Sequence, residues 1–237
     1  MDRILKTVIS LFLVVLLIFS ATTLYEGYVR SSFQGSLDST YTFTVSISTD
    51  TPLTNATFFI PLPVRPDGKS PVVNRIGIAD EAGLPKGWHY GIYEAGNATL
   101  VKITAPKILP EGPSEFTIDV PAGSLIDTID PLQNDMTIQP IHELQASDCS
   151  VLPGQKTASS ECSRYLGVIY ADYNTTPEAK VLIHADLQGK NRWNVFHPSS
   201  NMYTNSISLT LLGNMNHGWF PAKGELISGI GEIIPAS

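Results

Sequence analysis

The stretch YTFTVSIST, Tyr41 to Thr49, decides the fold class, because apolar and polar residues alternate along its whole length. Its large apolar side chains point to one side and its hydroxyl side chains to the other, which is the pattern of an antiparallel strand with one buried face. The same period of two recurs in several segments. They are Phe116 to Val120 and Ile207 to Leu211, with further strand candidates at Ala56 to Ile60, Trp88 to Tyr93, Thr99 to Ala105, Tyr165 to Tyr173 and Lys180 to Leu187.

Turn-forming residues separate these segments, since clusters of Gly, Pro, Asn and Asp fall between nearly all of them. Many short strands with such punctuation are typical of an antiparallel β-sandwich of the jelly-roll or Ig-like kind. A chain of 237 residues with 43% hydrophobic content can bury a core. We therefore expect an all-β protein with one domain over residues 37–237.

One hairpin can be aligned from the pattern in VLIHADLQGKNRWNVFH, Val181 to His197. A three-residue loop over residues 189–191 sets Leu187 opposite Trp193 and gives one consistently apolar face, whereas a two-residue loop mixes the faces. His184 and Asp186 then share the outer, solvated face. The pattern predicts the longer loop, with Leu187 and Trp193 buried together.

The N-terminus predicts a membrane segment. From Thr7 to Tyr25 there are 19 residues without a charge, which as a helix reach roughly 28 Å, close to the ~30 Å hydrocarbon core of a bilayer. Arg3 and Lys6 precede this run, so the positive-inside bias keeps residues 1–6 in the cytoplasm and sends the body outside. We expect a transmembrane signal anchor over residues 7–25 and a linker over residues 26–36.

A cleaved signal peptide is the alternative, because its charged start and apolar centre look the same, and it would leave a secreted domain.

In both cases the body is strongly acidic. Residues 1–24 carry a net charge of +1, from Asp2 against Arg3 and Lys6, and the whole chain carries −7, so the remaining residues carry −8. An acidic body argues against nucleic acid as a partner. The partner that the sequence does indicate is the membrane, through the N-terminal segment.

An oxidising location makes Cys149 and Cys162, the two cysteines of the chain, a candidate disulfide pair. The ring they would close is short and rich in turn residues, and closing it would contribute ~3 kcal/mol in the chain-entropy view. Two free thiols are the alternative.

Three glycan-acceptor triplets begin at Asn55, Asn97 and Asn174, each in a predicted turn beside a strand.

The sequence offers two groups of candidate metal ligands. In LIDTIDPLQND the carboxylates of Asp127, Asp130 and Asp135 could offer hard oxygen ligands to calcium, although the spacing is not that of an EF-hand and a solvated connector explains it as well. His184 and Asp186 form a candidate ligand pair without an identifiable third member. We find no nucleophile elbow, no phosphate-binding glycine loop and no other cofactor motif.

Aromatic residues raise one further hypothesis, because the WHYGIY segment places Trp88 and Tyr90 on one strand face, where they could stack on a sugar. Packing in the core or at its rim is the favoured explanation, because sandwiches need such residues inside. The sequence therefore favours a membrane-anchored, extracytoplasmic β-sandwich protein with a structural or interaction role in the cell envelope, more consistent with a non-enzyme than an enzyme. A carbohydrate-binding or carbohydrate-processing module is the alternative, and an envelope protein or a glycan is the expected partner. The two hypotheses differ in whether a tryptophan is exposed.

Overall fold

A computed structural model describes residues 3–76, 84–95, 98–147, 161–213, 215–232 and 234. One long N-terminal helix is followed by a β-rich body, as the alternation of apolar and polar residues predicts. In chain order the elements are α1 (Arg3–Ser36), β1 (Asp38–Thr49), β2 (Leu53–Pro61), β3 (Pro63–Val64), α2 (Pro71–Ile76), β4 (His89–Ala95), β5 (Ala98–Ile108), β6 (Ser114–Pro121), α3 (Pro131–Asn134), β7 (Thr137–Ile138), β8 (His142–Ala146), β9 (Glu161–Asn174), β10 (Lys180–Asn194), β11 (Pro198–Leu212) and β12 (His217–Gly231).

Ten of the strands form one antiparallel sheet in the order β4-β5-β2-β9-β12-β11-β10-β1-β6, and β8 pairs with β9. This sheet curls into a half-barrel, and a small ladder of β3 and β7 accompanies it. The predicted all-β class with one N-terminal apolar helix is confirmed. The division into two facing sheets is not confirmed, because the described strands that bury the core belong to one continuous sheet whose own curvature encloses it.

The period of two in the sequence becomes the two faces of this sheet. Along β10 and β11 every second side chain is buried, and Ile183 and Ile207 are fully covered by the core. Phe43 of β1 lies directly opposite Leu187 of β10 in the ladder. Because successive side chains of a strand point to opposite faces, one face of each long strand packs inward and the other faces out.

The hollow of the half-barrel holds residues 122–141, which are mostly irregular. The side-chain amide of Asn191 accepts a hydrogen bond from the Ile126 N–H at 3.0 Å and donates one to the Ile126 carbonyl at 2.9 Å. Asn205 accepts from the Ile138 N–H at 2.6 Å, and the Tyr203 hydroxyl donates to the Met136 carbonyl. Buried backbone groups need hydrogen-bond partners. For this irregular segment, side chains of the sheet provide the partners that a neighbouring strand would provide in a ladder.

The predicted hairpin loop is wrong, although its consequence for the faces is confirmed. Gly189 to Asn191 lie inside β10, and the chain turns at residues 195–197 instead. A Cβ on Gly189 would lie 2.2 Å from the ring of Tyr203, so this glycine makes room for a neighbouring side chain within the strand. Leu187 and Trp193 nevertheless share the buried face, because they are an even number of residues apart.

Helix α1 is long and apolar enough to cross a bilayer, and none of its most apolar window is buried against the body. Residues 26–36, predicted to be a linker, continue this helix. Its last turns contact the body, since Phe33 packs edge-on against Trp193 with ring centroids 5.7 Å apart. The Ser36 hydroxyl donates to the Asn194 carbonyl at 3.1 Å and accepts from the Asn194 N–H at 2.9 Å.

Candidate functional site

A cluster of aromatic side chains lies on the outer face of the sheet, opposite the core. Trp219 of β12 pairs directly with Tyr170 of β9, and Tyr170 pairs with Phe59 of β2. The neighbours of Phe59 along β2, Phe58 and Ile60, are fully buried, so Phe59 points away from the core. Three adjacent strands thus place three rings side by side, and we call them, together with Tyr93 of β4, the outer aromatic cluster.

The rings of the outer aromatic cluster contact each other mainly edge to face. Tyr170 lies 5.3 Å from both Phe59 and Trp219, measured between ring centroids, and Tyr93 lies 5.0 Å from Phe59. These separations fall within the preferred range for aromatic pairs. Much of the surface stays open to solvent, because Trp219 is 51% exposed and Tyr93 is 47% exposed.

Polar side chains border the outer aromatic cluster. The Lys102 ammonium lies 5.8 Å from the centroid of the Phe59 ring, and the His217 Nδ1 lies 3.2 Å from the Asp172 Oδ1. A polar contact this exposed contributes little to stability. Exposed aromatic rings with polar groups beside them can stack on a ring and hydrogen-bond to its substituents.

The two aromatic residues that the sequence proposed for stacking are placed differently. Trp88 is only 3% exposed and belongs to the core, which leaves no face of its indole open to a sugar. Tyr90 is partly buried, and its hydroxyl donates to the Ile76 carbonyl at 2.9 Å. The stacking hypothesis for Trp88 and Tyr90 is therefore corrected, and Trp219 is the tryptophan that reaches the surface.

The carboxylates of the acidic segment, residues 125–135, accept hydrogen bonds from groups within that segment. Asp127 accepts hydrogen bonds from the N–H groups of Ile129 and Asp130 at 3.0 and 2.9 Å, and Asp130 caps α3. Hydrogen bonds to these N–H groups and to Asn134 lower the pKa of the Asp127 carboxyl, against the effect of partial burial. Calcium binding by Asp127, Asp130 and Asp135 stays a prediction.

Asp135 is buried beneath this segment, at 6% exposure, and it accepts from the Tyr41 hydroxyl and from the Asp127 N–H. Burial raises the pKa of Tyr41, and the neighbouring carboxylate adds to that rise. Nowhere in the part of the chain that the structure describes do three His, Cys, Asp or Glu residues group as metal ligands. The carboxylate oxygens instead satisfy backbone and hydroxyl groups, as buried polar atoms require.

His184 and Asp186 lie on the outer face of β10, as predicted, and both are partly exposed. The Gln188 amide donates to Asp186 at 3.4 Å. Burial raises the pKa of the Asp186 carboxyl, while His184 and the Gln188 hydrogen bond act in the opposite direction. The pair forms part of a polar strand face.

Two of the three glycan acceptors can be placed. Asn55 and Asn174 are both exposed, and they lie on neighbouring strands at the same end of the sheet, because Thr54 pairs with Asn174. Asn97 lies outside the described residues. Modification of Asn55, Asn97 and Asn174 stays a prediction.

The predicted disulfide is likewise untested, because Cys149 lies outside the described residues. Cys162 is in β9, and its carbonyl accepts from the Ser147 N–H at 2.9 Å. The chain is therefore paired at the base of the loop that Cys149 and Cys162 would close.

Comparisons with known proteins give no relative from which a function could be transferred. No known family matches the chain, and neither the characterised proteins nor the solved structures contain a match. Function must therefore be argued from the geometry of the chain itself.

Proposed function

We propose that this chain is a single-pass membrane protein whose helix α1 anchors the β domain outside the cytoplasm, where the domain has a binding or structural role in the cell envelope. The apolar surface of α1 carries this proposal. Its side chains from Leu5 to Leu24 are not covered by the body, and such a surface is stable only in lipid or against a partner. Arg3 and Lys6, which precede the uncharged run within α1, favour a cytoplasmic N-terminus.

The predicted covalent features fit the same location. A disulfide between Cys149 and Cys162 needs an oxidising compartment, and the pairing of Ser147 with Cys162 supports it by bringing the two arms of the loop together. Glycans on Asn55 and Asn174 would find open solvent, since both side chains are exposed.

The topology is tested on full-length chain carrying one epitope tag at each end. Protease added to intact cells should remove the C-terminal tag and spare the N-terminal tag, and alkaline carbonate should leave the chain in the membrane pellet. Replacing Arg3 and Lys6 with Glu should weaken this orientation, whereas Lys86→Glu, a charge change on the exposed surface of the body, should not. Release of the body by carbonate, or an N-terminus that starts within residues 20–26, would instead show a cleaved signal peptide.

A carbohydrate-binding role is the second candidate, and the outer aromatic cluster favours it. Trp219 and Tyr93 present open ring surface, and Lys102, Asp172 and His217 offer hydrogen-bonding groups beside it. The apolar C–H face of a pyranose stacks on such rings, while its hydroxyl groups need polar partners. The expected ligand is therefore a neutral or weakly charged glycan of the cell envelope.

This candidate is tested by the migration of the chain, in detergent, through native gels that contain soluble polysaccharides prepared from the producing cells. Trp219→Ala should abolish the retardation. Ile129→Ala is the matched control, because Ile129 is also exposed and apolar, at 59%, but follows Thr128, whose carbonyl accepts from the Gly229 N–H at 2.7 Å, ten residues along β12 from Trp219. Equal retardation of Trp219→Ala and the wild-type chain would refute the assignment, as would no retardation of the wild type.

A further inference from the structure

Three large aromatic side chains meet in solvent where α1 joins the body. Tyr25 and Tyr28 of α1 each lie 6.0 Å from Phe196, measured between ring centroids, and the Tyr25 and Phe196 rings are stacked. Phe196 belongs to the turn between β10 and β11. The exposed fractions of Tyr25, Tyr28 and Phe196 are 59%, 55% and 64%, so more than half of the surface of each residue stays open.

The positions of Tyr25 and Tyr28 along α1 give the depth of these aromatic side chains relative to a bilayer. The uncharged run ends at Tyr25, so Tyr25 marks the edge of the hydrocarbon core when α1 spans it. Tyr28 is three residues further, which is ~4.5 Å along the helix. A bilayer of ~40–45 Å with a core of ~30 Å has a headgroup layer of ~5–7.5 Å on each side. Both tyrosines therefore fall within that layer.

The interface between headgroups and acyl chains is where amphipathic rings are enriched in membrane proteins. Phe196 is brought to the same depth by contacts that fix the turn against the helix. Phe33 packs on Trp193, and Ser36 exchanges two hydrogen bonds with the backbone of Asn194. The turn cannot leave the level of Tyr25 and Tyr28 without losing these contacts.

We propose that the β10–β11 turn is a membrane-contacting element, with Phe196 inserted beside Tyr25 and Tyr28 into the lipid interface of the leaflet that α1 leaves. This inference rests on the proposed anchoring by α1. The β domain then touches the bilayer at two points, the helix and the turn, and is held in one orientation. Its partner at this surface is phospholipid.

This orientation has a consequence for the rest of the domain. Strand β10 runs 15 residues from Lys180 to the turn, which is ~46 Å at the usual rise per residue. Asn55 and Asn174 lie at the end of the sheet opposite the turn, because β9 ends there and pairs with the start of β2. The two acceptors therefore face away from the lipid.

The test is photo-crosslinking in the full-length chain, reconstituted into vesicles made of equal parts phosphatidylcholine and phosphatidylglycerol that carry an alkyne tag. A benzophenone amino acid replaces Phe196 in one variant and Leu212 in the other. The two sites are matched in exposure and apolar character, but Leu212 ends β11 at the side away from the turn. We expect tagged lipid on the variant labelled at 196 and only background on the one labelled at 212.

Carbonate extraction of the same vesicles separates the two proposals. If the chain stays in the pellet but position 196 takes up no lipid, or no more than position 212, the docking of the turn is refuted while anchoring stands. If carbonate releases the chain, anchoring fails and the docking of the turn fails with it.

Discussion

Removing the side-chain amide of Asn191 should be among the most damaging single changes in the body. This residue is fully buried in β10, and its amide bonds both backbone groups of Ile126 in the segment that fills the half-barrel. It also accepts from the Ser39 hydroxyl at 2.7 Å and donates to Asn201 at 2.9 Å. Asn191→Ala deletes all four hydrogen bonds and leaves the Ile126 N–H and carbonyl without their partner.

The magnitude follows from the two orphaned backbone groups. Leaving a buried donor or acceptor unsatisfied costs ~1–3 kcal/mol each, so the pair gives a loss of ~2–6 kcal/mol in the free energy of unfolding. Against a total stability of ~5–15 kcal/mol, this is a large fraction. Asn194→Ala is the matched control, because Asn194 lies on the same strand with an exposed side chain and should change stability by less than ~0.5 kcal/mol.

Guanidinium unfolding of the full chain in detergent micelles, followed by near-ultraviolet circular dichroism, measures both variants. The midpoint for Asn191→Ala should fall well below that of the wild type and of Asn194→Ala. Equal midpoints for the two variants would refute the reasoning, since they would mean that the segment in the hollow does not depend on the amide for its hydrogen bonds.

Three further predictions concern packing and titration. Gly189→Ala should cost ~1–3 kcal/mol in the same assay, because its new methyl group would lie 2.2 Å from the Tyr203 ring; an unchanged midpoint would contradict this close approach. Trp193→Ala should cost ~3–5 kcal/mol, since the ring is 4% exposed, and a loss below ~1 kcal/mol would show that its cavity collapses freely. Burial raises the pKa of Tyr173 from 10.0 to about 12. Its contribution to the free energy of unfolding is therefore complete below pH 10. That free energy should fall as the pH rises towards 12, because the Tyr173 hydroxyl of the unfolded chain releases its proton first. Tyr173→Phe should flatten that fall, and an equal slope in both proteins would exclude Tyr173 as its source.

The fold class could be predicted from the sequence because a period of two survives any arrangement of the strands. Tyr41 to Thr49 has its apolar side inside wherever β1 pairs, so strand positions and faces follow from local pattern. The number of sheets is set by curvature and by which strands become neighbours, for example β9 pairing with β2, some 100 residues earlier in the chain. Neither sheet curvature nor strand neighbours can be recognised in a window of a few residues. The sequence therefore predicts a sandwich, whereas the structure has a single curled sheet.

The hairpin and the aromatic cluster show the same limit at single residues. Gly and Asn are typical turn residues, but here Gly189 makes room for the Tyr203 ring and Asn191 hydrogen-bonds to the backbone of Ile126. Tyr203 and Ile126 lie in other segments of the chain, so the local sequence does not show either contact. Tyr170 belongs to RYLGVIYADY, whose apolar residues on both faces predict a strand covered on two sides. Among the residues that the structure describes, the outer side of Tyr170 contacts the rings of Phe59 and Trp219, and no second layer of strands covers it. Apolar residues on both faces of a strand therefore indicate either a covering layer or an exposed surface that binds something, and only the neighbouring strands decide between them.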